Sequence, residues 1–334
     1  MRLMLAACLL GLAQSGWALA VTDSTGRTVE VKTPVQKMVI LNSAAMEMAR
    51  ILGAEDRVLG VSTHIAKELL AMGLPAKEAV GSWQEPNVEA IVKLAPDVVI
   101  VYAGSALHIQ DKLKPFGIAV LRLDLYKLNT MPQEIDALAR LLHKQEQARA
   151  FLAWHTGILQ GLQKRMAALP QKTPAYLESY FDYHVAGIDG GLHQLCRHAG
   201  CQDIASDFSA GVKRVLPEWI VRENPAAIFK MYSRSDEYQL PSPAPYNQMR
   251  DAIMARPAWR SMQAVQSGRV HVMESSLFST PRSAVGAAYM AKWLHPQQLA
   301  DIDPDALHAQ YMQRFLRLPA RGVYFSTSPA AAAP

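Results

Sequence analysis

Apolar positions along this chain alternate between two spacings, the two-residue repeat of strands and the three-to-four-residue repeat of helices. Val21 to Val31 alternates apolar and polar about a Ser24-Thr25-Gly26 turn, which predicts an edge hairpin. Met38 to Leu41 is a short apolar run that predicts a buried strand. Asn42-Ser43 then caps a helix that runs through Leu52 and stops at Gly53. Val58 to Ser62 predicts the next strand, Gly81-Ser82-Trp83 opens a loop, Val88 to Leu94 predicts a helix, and Asp97 to Tyr102 and Ala119 to Leu123 predict strands. Strands that alternate with helices in this way imply a mostly parallel, doubly wound sheet.

The middle of the chain changes character. Thr130-Met131-Pro132-Gln133 reads as a capping box with proline in the first turn, starting a helix to about His143. A second helix begins near Gln145 and carries apolar residues at Ala148, Phe151, Leu152, Leu159, Leu162 and Met166, up to Pro170. At 1.5 Å per residue this is a rod of roughly 36 Å, long enough to cross a lobe. Strands resume at Ala175 to Ser179, Ala227 to Tyr232 and Arg269 to Met273, helices follow at Ala284 to Leu294 and Pro304 to Leu316, and Ser233 to Tyr246 is a proline-serine loop.

One phrase is written twice. Glu89-Ala-Ile-Val-Lys-Leu-Ala-Pro96 recurs as Glu218-Trp-Ile-Val-Arg-Glu-Asn-Pro225, and each copy leads into an apolar run ending at a tyrosine, Tyr102 or Tyr232. Both read as a helical turn, a proline that forbids more helix, and a buried strand whose end faces a rim. The repeat implies two similar α/β lobes, a single long helix between them, and a cleft where strand ends from both lobes meet a ligand. The boundaries read as a leader over 1–20, an N-terminal lobe over 21–128, a helical linker over 129–169, a C-terminal lobe over 170–325 and a low-complexity tail over 326–334.

The leader rests on Met1-Arg2, the apolar stretch Leu3 to Leu12, and Ala18-Leu19-Ala20 as a cleavage site, which implies export to the periplasm with cleavage after Ala20. Leu5-Ala-Ala-Cys8 resembles a lipidation box but sits too near the start to have an adequate apolar segment before it. Formal charge is +5 for the whole chain, and +4 once the leader takes Arg2 with it. With no lysine-arginine block and no aromatic-basic stripe, nucleic acid is not the expected partner. Of the three cysteines, Cys196 and Cys201 remain after the leader is removed. They read as a disulfide in an oxidising compartment, as part of a metal cluster with His193 and His198, or as two small apolar residues. The histidines are otherwise scattered, without the spacing of a bare-cation cage, and the methionines fall mostly at core positions. No Gly-x-Ser-x-Gly elbow, Walker loop or dinucleotide fingerprint is present, so an enzyme is the lesser reading.

Taken in order, Asp23-x-x-Gly26-Arg27-x-Val29, Ala45-Met-Glu47, Leu52-Gly-Ala-Glu-Asp-Arg57-Val58-x-Gly60-Val61, Gly81-Ser82, Pro86-Asn87-x-Glu89, Pro96-Asp97, Pro217-Glu218-Trp219, Asn224-Pro225, Gly268-Arg269-Val270, Pro281-Arg282, Ala291-Lys292-x-Leu294-His295-Pro296 and Asp301-Ile-Asp-Pro304 resemble the periplasmic substrate-binding proteins of ABC importers, in the group with a helical backbone that serves iron-siderophores, haem and cobalamin. The chain departs at His143, where relatives often have glycine, and at Ala226, where the second repeat lacks the aspartate of the first. The resemblance implies two Rossmann-like lobes that move little, a permease dimer with ATPase subunits as partner, a monomeric protein without a resident cofactor, and one docking glutamate per lobe, mapped onto Glu47 and Glu218. The ligand it implies is an iron(III)-siderophore or related metal chelate, with cobalamin, haem or an oxyanion such as molybdate as alternatives. Residues just past strand ends are the candidate contacts: Ser43, Ala44, Trp83, Tyr102 and Ser105 in the first lobe, and Tyr180, Tyr183, His184, Tyr232, Arg234, Phe278 and Arg282 in the second. Aromatic walls with a few cations suit a flat anionic chelate, with Arg282 as the leading cation. His184 and Met231 would serve as metal ligands if the chelate arrived with open coordination sites.

Overall fold

The computed structural model describes residues 17–327, apart from Ala186, Asp189, 209–210 and 234–239. The chain opens with an antiparallel hairpin of β1 (Trp17–Thr22) and β2 (Thr28–Thr33). The expected cleavage after Ala20 would remove the first four residues of β1 but keep Val21, the strand's one buried side chain.

The first lobe follows as β3 (Met38–Ile40), α1 (Ser43–Ile51), β4 (Val58–Val61), α2 (Thr63–Ala71), β5 (Glu78–Ala79), α3 (Val88–Leu94), β6 (Val98–Val101), α4 (Ile109–Leu113) and β7 (Ala119–Arg122). Its five strands are all parallel, in the order β5-β4-β3-β6-β7. Both faces of this sheet are covered, and the two-residue side-chain period sorts its residues between them. Met38, Ile40, Val98 and Ile100 face the molecule's main core, whereas Val39, Leu41, Val99 and Val101 face a smaller core under α3 and α4.

Two helices cross to the second lobe, α5 (Met131–Leu142) and α6 (Gln145–Met166). The expected capping box is not formed. Thr130 precedes α5 without a side-chain cap bond, and its hydroxyl is buried without a hydrogen-bond partner. Glu134, one residue beyond the expected acceptor, instead takes the backbone N–H of Leu125 at 2.5 Å. His143 ends α5 at φ 55°, the left-handed conformation that explains a preference for glycine at this place. The helix α6 is pinned by aromatic packing of Phe151 on Phe315 at 5.2 Å and by the Arg165 fork on Asp301 at 2.8 and 2.7 Å.

The second lobe runs β8 (Thr173–Glu178), β9 (His184–Val185), α7 (Gly191–His198), β10 (Cys201–Asp203), β11 (Lys213–Arg214), α8 (Pro217–Glu223), β12 (Ala227–Tyr232), α9 (Ala244–Met254), α10 (Gln263–Gln266), β13 (Val270–Glu274), α11 (Ser276–Ser279), α12 (Ser283–Leu294) and α13 (Pro304–Arg314). The strands β10, β8, β12 and β13 are parallel, and the short β9 and β11 add an antiparallel edge. The chain after α13 returns along β13, where Ser326 N donates to Val272 O at 2.8 Å. Ser326 is therefore part of the fold, not the start of the tail. Cys196 and Cys201 are joined across the end of α7 with Cα atoms 5.1 Å apart. His193 pairs with Asp203 at 3.1 Å, and no group of three or more metal-ligating side chains gathers among the described residues.

The two halves repeat each other at their twin phrase. The helices α3 and α8 both end in left-handed residues, Ala95 at φ 46° and Asn224 at φ 45°, and a proline follows each. Asp97 N and Ala226 N each bond back to the neighbouring strand's entry, at Lys37 O and Pro174 O. In the first lobe the Asp97 carboxylate also accepts Gln36 N and Lys37 N at 2.8 and 2.9 Å. Ala226 has no counterpart to that second function.

Candidate functional site

Beyond the C-terminal strand ends the two lobes meet at a mouth, where Tyr180 of the second lobe lies close enough to Tyr102 of the first to act on it electrostatically. From the first lobe, Asn42 caps α1 through Ala45 N at 3.1 Å and sets Ser43 at the helix start, where its hydroxyl donates to Glu68 of α2 at 3.2 Å. Tyr102 follows β6. Its ring lies edge-on to Trp83 at 5.9 Å and to Tyr126, beyond β7, at 6.4 Å. Burial holds the Tyr102 hydroxyl well above the usual phenol range, with Tyr180 of the opposite lobe the next cause. Tyr180 is half-exposed and its hydroxyl meets Ser279 at 3.3 Å. Glu274 ends β13 and accepts Ser276 N at 2.7 Å and Ser275 Oγ at 3.1 Å. Burial raises its pKa, which the Ser276 bond and Arg282 oppose. His64 stands 3.3 Å from Glu68, and that hydrogen bond raises the imidazole pKa.

Behind this mouth the lobes are joined. The Glu47 carboxylate of α1 receives Arg282 Nη2 at 2.8 Å, Thr280 Oγ1 at 2.9 Å and the Tyr311 hydroxyl, all from the second lobe. The Arg282 side chain is wholly buried and that of Glu47 is 10% exposed. The α12 helix that begins beside Arg282 can back onto α11 because residue 286 is glycine; a Cβ there would sit 1.9 Å from Leu277 O. Further along the same seam, Arg50 Nε donates to Leu316 O at 2.5 Å and Arg317 pairs with Glu55 at 2.7 Å. The cavity of about 40 Å³ between Ser43, Glu47 and Glu68 on one side and Ser276, Thr280 and Arg282 on the other has room for a water molecule or two.

The candidate contacts divide accordingly. Ser43, Trp83, Tyr102 and Tyr180 come together at the mouth. Three others have work inside their own lobes. Ser105 is buried, with its carbonyl taking Arg122 Nη1 at 2.6 Å. The Tyr183 ring covers Arg256 at 4.5 Å, and Tyr232 lies edge-on to Tyr246 at 5.3 Å. Arg282 is the clearest correction, because its guanidinium serves Glu47 rather than a ligand. Ala44 and Phe278 are core residues, and Met231 is 7% exposed in the same core. His184 lies beside Phe181 at 5.6 Å and bonds the Asp182 carbonyl at 2.8 Å. Arg234 lies outside the described residues.

Beneath Tyr180, a buried network fixes the loop after β8. Glu178 meets Arg256 at 2.7 and 2.9 Å and Lys230 at 2.9 Å. Burial alone would raise the Glu178 pKa; the two cations overcome it and hold the carboxyl below its ordinary value. Glu47 is likewise too enclosed to meet a partner protein. The exposed position equivalent to Glu218 is Glu89, since each is the second residue of its matched helix. The twin phrase carried that signal in its first letter. Tyr126 and Glu274 were also missed, although the strand-end rule applied to β7 and β13 reaches both. Glu68, in the second turn of α2, has no comparable sequence signal.

A family model described as a periplasmic binding protein matches residues 38–277. The molybdate-binding protein MolA of Haemophilus influenzae is 25% identical over an alignment covering 94% of this chain and 96% of its own. A vitamin B12-binding protein of Pectobacterium atrosepticum is 28% identical over 58% of this chain and 70% of its own. Among solved structures, molybdate-bound MolA superposes with a TM-score of 0.76 at 22% identity, covering 90% of this chain and 98% of that one. The TroA-like protein FepB from Veillonella parvula superposes with a TM-score of 0.75 at 21% identity, covering 93% and 100%.

Proposed function

The chain belongs to the periplasmic binding protein family, and on that premise we propose that it captures an iron(III)-siderophore or related metal chelate between its lobes and delivers it to the permease dimer and ATPase subunits of an ABC importer. The relatives are extracytoplasmic substrate-binding proteins of such transporters. The observation that carries the ligand reading is the aromatic mouth. Trp83, Tyr102 and Tyr126 form one wall and Tyr180 stands opposite, a lining suited to flat chelate rings. The space behind it is too small for such a ligand, which is received at the mouth. On this reading the protein works as an exported monomer with its leader removed after Ala20, and it releases its cargo unchanged. An oxyanion is the second reading, favoured by the likeness to MolA. Native mass spectrometry and visible absorbance of protein taken from its own periplasm separate the two: a coloured chelate supports the first, and a tetrahedral oxyanion mass overturns it.

Docking is assigned to Glu89 and Glu218, the exposed pair, in place of Glu47 and Glu218. A carboxylate on a helix offers a permease arginine a two-pronged partner. Glu89→Ala with Glu218→Ala is expected to abolish uptake while leaving ligand affinity within about two-fold, because neither residue is among those at the mouth. A large loss of affinity, measured by equilibrium titration, would return both residues to the pocket.

A further inference from the structure

A lysine lies where an apolar residue would pack. Lys230 of β12 is 1% exposed and shares its sheet face with Ile228, which belongs to the second lobe's own core. Its ammonium meets three oxygens, one for each N–H: Glu178 Oε1 at 2.9 Å, Asp182 Oδ1 at 3.3 Å and the Tyr180 carbonyl at 3.3 Å. All three belong to the stretch that ends β8 and turns into β9. The turn is closed across its base, where Ser179 N donates to His184 O at 2.7 Å and Tyr183 N to Glu178 Oε2 at 3.0 Å. Tyr183 is held at φ 60°, a left-handed conformation that a bulky side chain adopts only when its surroundings impose it. Within this turn Tyr180 is 49% exposed, and its hydroxyl meets Ser279 of α11 at 3.3 Å. The residue is therefore tied at both ends, by Lys230 through its backbone and by Ser279 through its hydroxyl.

Glu178 does not need this lysine as a counter-ion, since Arg256 already grips its carboxylate through two nitrogens at 2.7 and 2.9 Å. A buried ammonium is also a poor source of stability, because the cost of stripping its water offsets what its pairings return. Resting on the reading of the mouth as the ligand site, we propose that Lys230 is a positioning residue, which sets the backbone of Tyr180 so that its ring stands by Tyr102 at the mouth before cargo arrives. A ring that is already ordered spares the ligand the cost of ordering it, and affinity rises by that amount.

The first measurement needs no ligand. In the full mature chain labelled with fluorotyrosine, the Tyr180 fluorine signal is assigned by its loss in Tyr180→Phe. That signal is expected to shift and broaden in Lys230→Met, while those of Tyr289 on α12 and Tyr311 on α13 stay in place and report an intact fold. An unmoved Tyr180 signal overturns the proposal. Should Lys230→Met fail to fold, Asp182→Ala, at a side chain 59% exposed, decides in its place by the same signal. The second measurement is a double-mutant cycle on the dissociation constant for a ferric tris-catecholate. Lys230→Met is expected to weaken binding by about three- to ten-fold in the otherwise unchanged chain, the cost of ordering one side chain, and by less than about two-fold in Tyr180→Ala. Equal losses in both backgrounds overturn the proposal, because the lysine would then act on the lobe as a whole and not through Tyr180. If the unaltered protein binds no tris-catecholate, that chelate is overturned as cargo, and the fluorine signal still decides the role of Lys230.

Discussion

Removing the Arg282 guanidinium strands the Glu47 carboxylate in the closed seam between lobes. Loss of one partner from a buried, hydrogen-bonded pair costs about 3–5 kcal/mol, because the remaining charge stays desolvated. Arg282→Met is therefore expected to lower unfolding free energy by about that amount in urea titration. A change below about 1 kcal/mol would mean that Glu47 reaches water more freely than its 10% exposure indicates. Neither residue's role was legible in the chain. They lie 235 positions apart, and nothing local in either motif points to the other. Each was assigned an outward task, and each proves to be the other's partner. Trp83, Tyr102 and Tyr180 were more readable, because a strand end that faces a rim is a local property.

At the scale of elements, the twin helices α3 and α8 share the same exit. Ala95 holds a left-handed conformation at φ 46°, which costs an alanine about 1–2 kcal/mol and a glycine almost nothing. Ala95→Gly is expected to stabilise the protein by about 0.5–1 kcal/mol after the unfolded chain's gain in freedom is subtracted, seen as a raised midpoint in urea. A lowered midpoint would show that the residue does not hold this conformation in solution. The same change at Asn224 should gain less, since Asn224 Oδ1 accepts Gln263 N at 2.9 Å and that bond would go. The repeat itself was plain in the sequence because proline and the apolar run leave a fixed local signature. The strands β5, β9 and β11 were not, because two residues are too few to carry a period. The misread cap before α5 is a different failure, in which Glu134 left the helix terminus to satisfy the loop at Leu125.

Across the whole molecule, five histidines sit where protons are costly, three of them most deeply. Burial pushes His155 of α6, His271 of β13 and His308 of α13 down to about 3. All three are neutral in the folded state at neutral pH, whereas the unfolded chain protonates them near 6.5. Their stabilising contribution is present above about 6.5, declines as the pH falls below it, and is fully lost once the pH passes the folded value. Melting temperature is expected to hold near neutrality and fall steadily from about pH 6.5 towards 3, with His271→Phe reducing the slope. An equal slope in that variant would remove His271 from the groups that set the acid sensitivity. The two-lobed plan and its connecting helix were legible from periodicity; the depth at which these histidines lie was not, because burial is decided by the tertiary packing of α6, α12 and α13.

The seam also bears on how binding can be observed. With Arg50 and Arg317 bridging one end and Glu47 gripped at the other, dyes placed on the far tips of the two halves should report almost no change in separation when cargo arrives. Trp83, 38% exposed and edge-on to Tyr102, is the better reporter, because a coloured chelate settling against its indole would quench emission without any part of the scaffold having to swing.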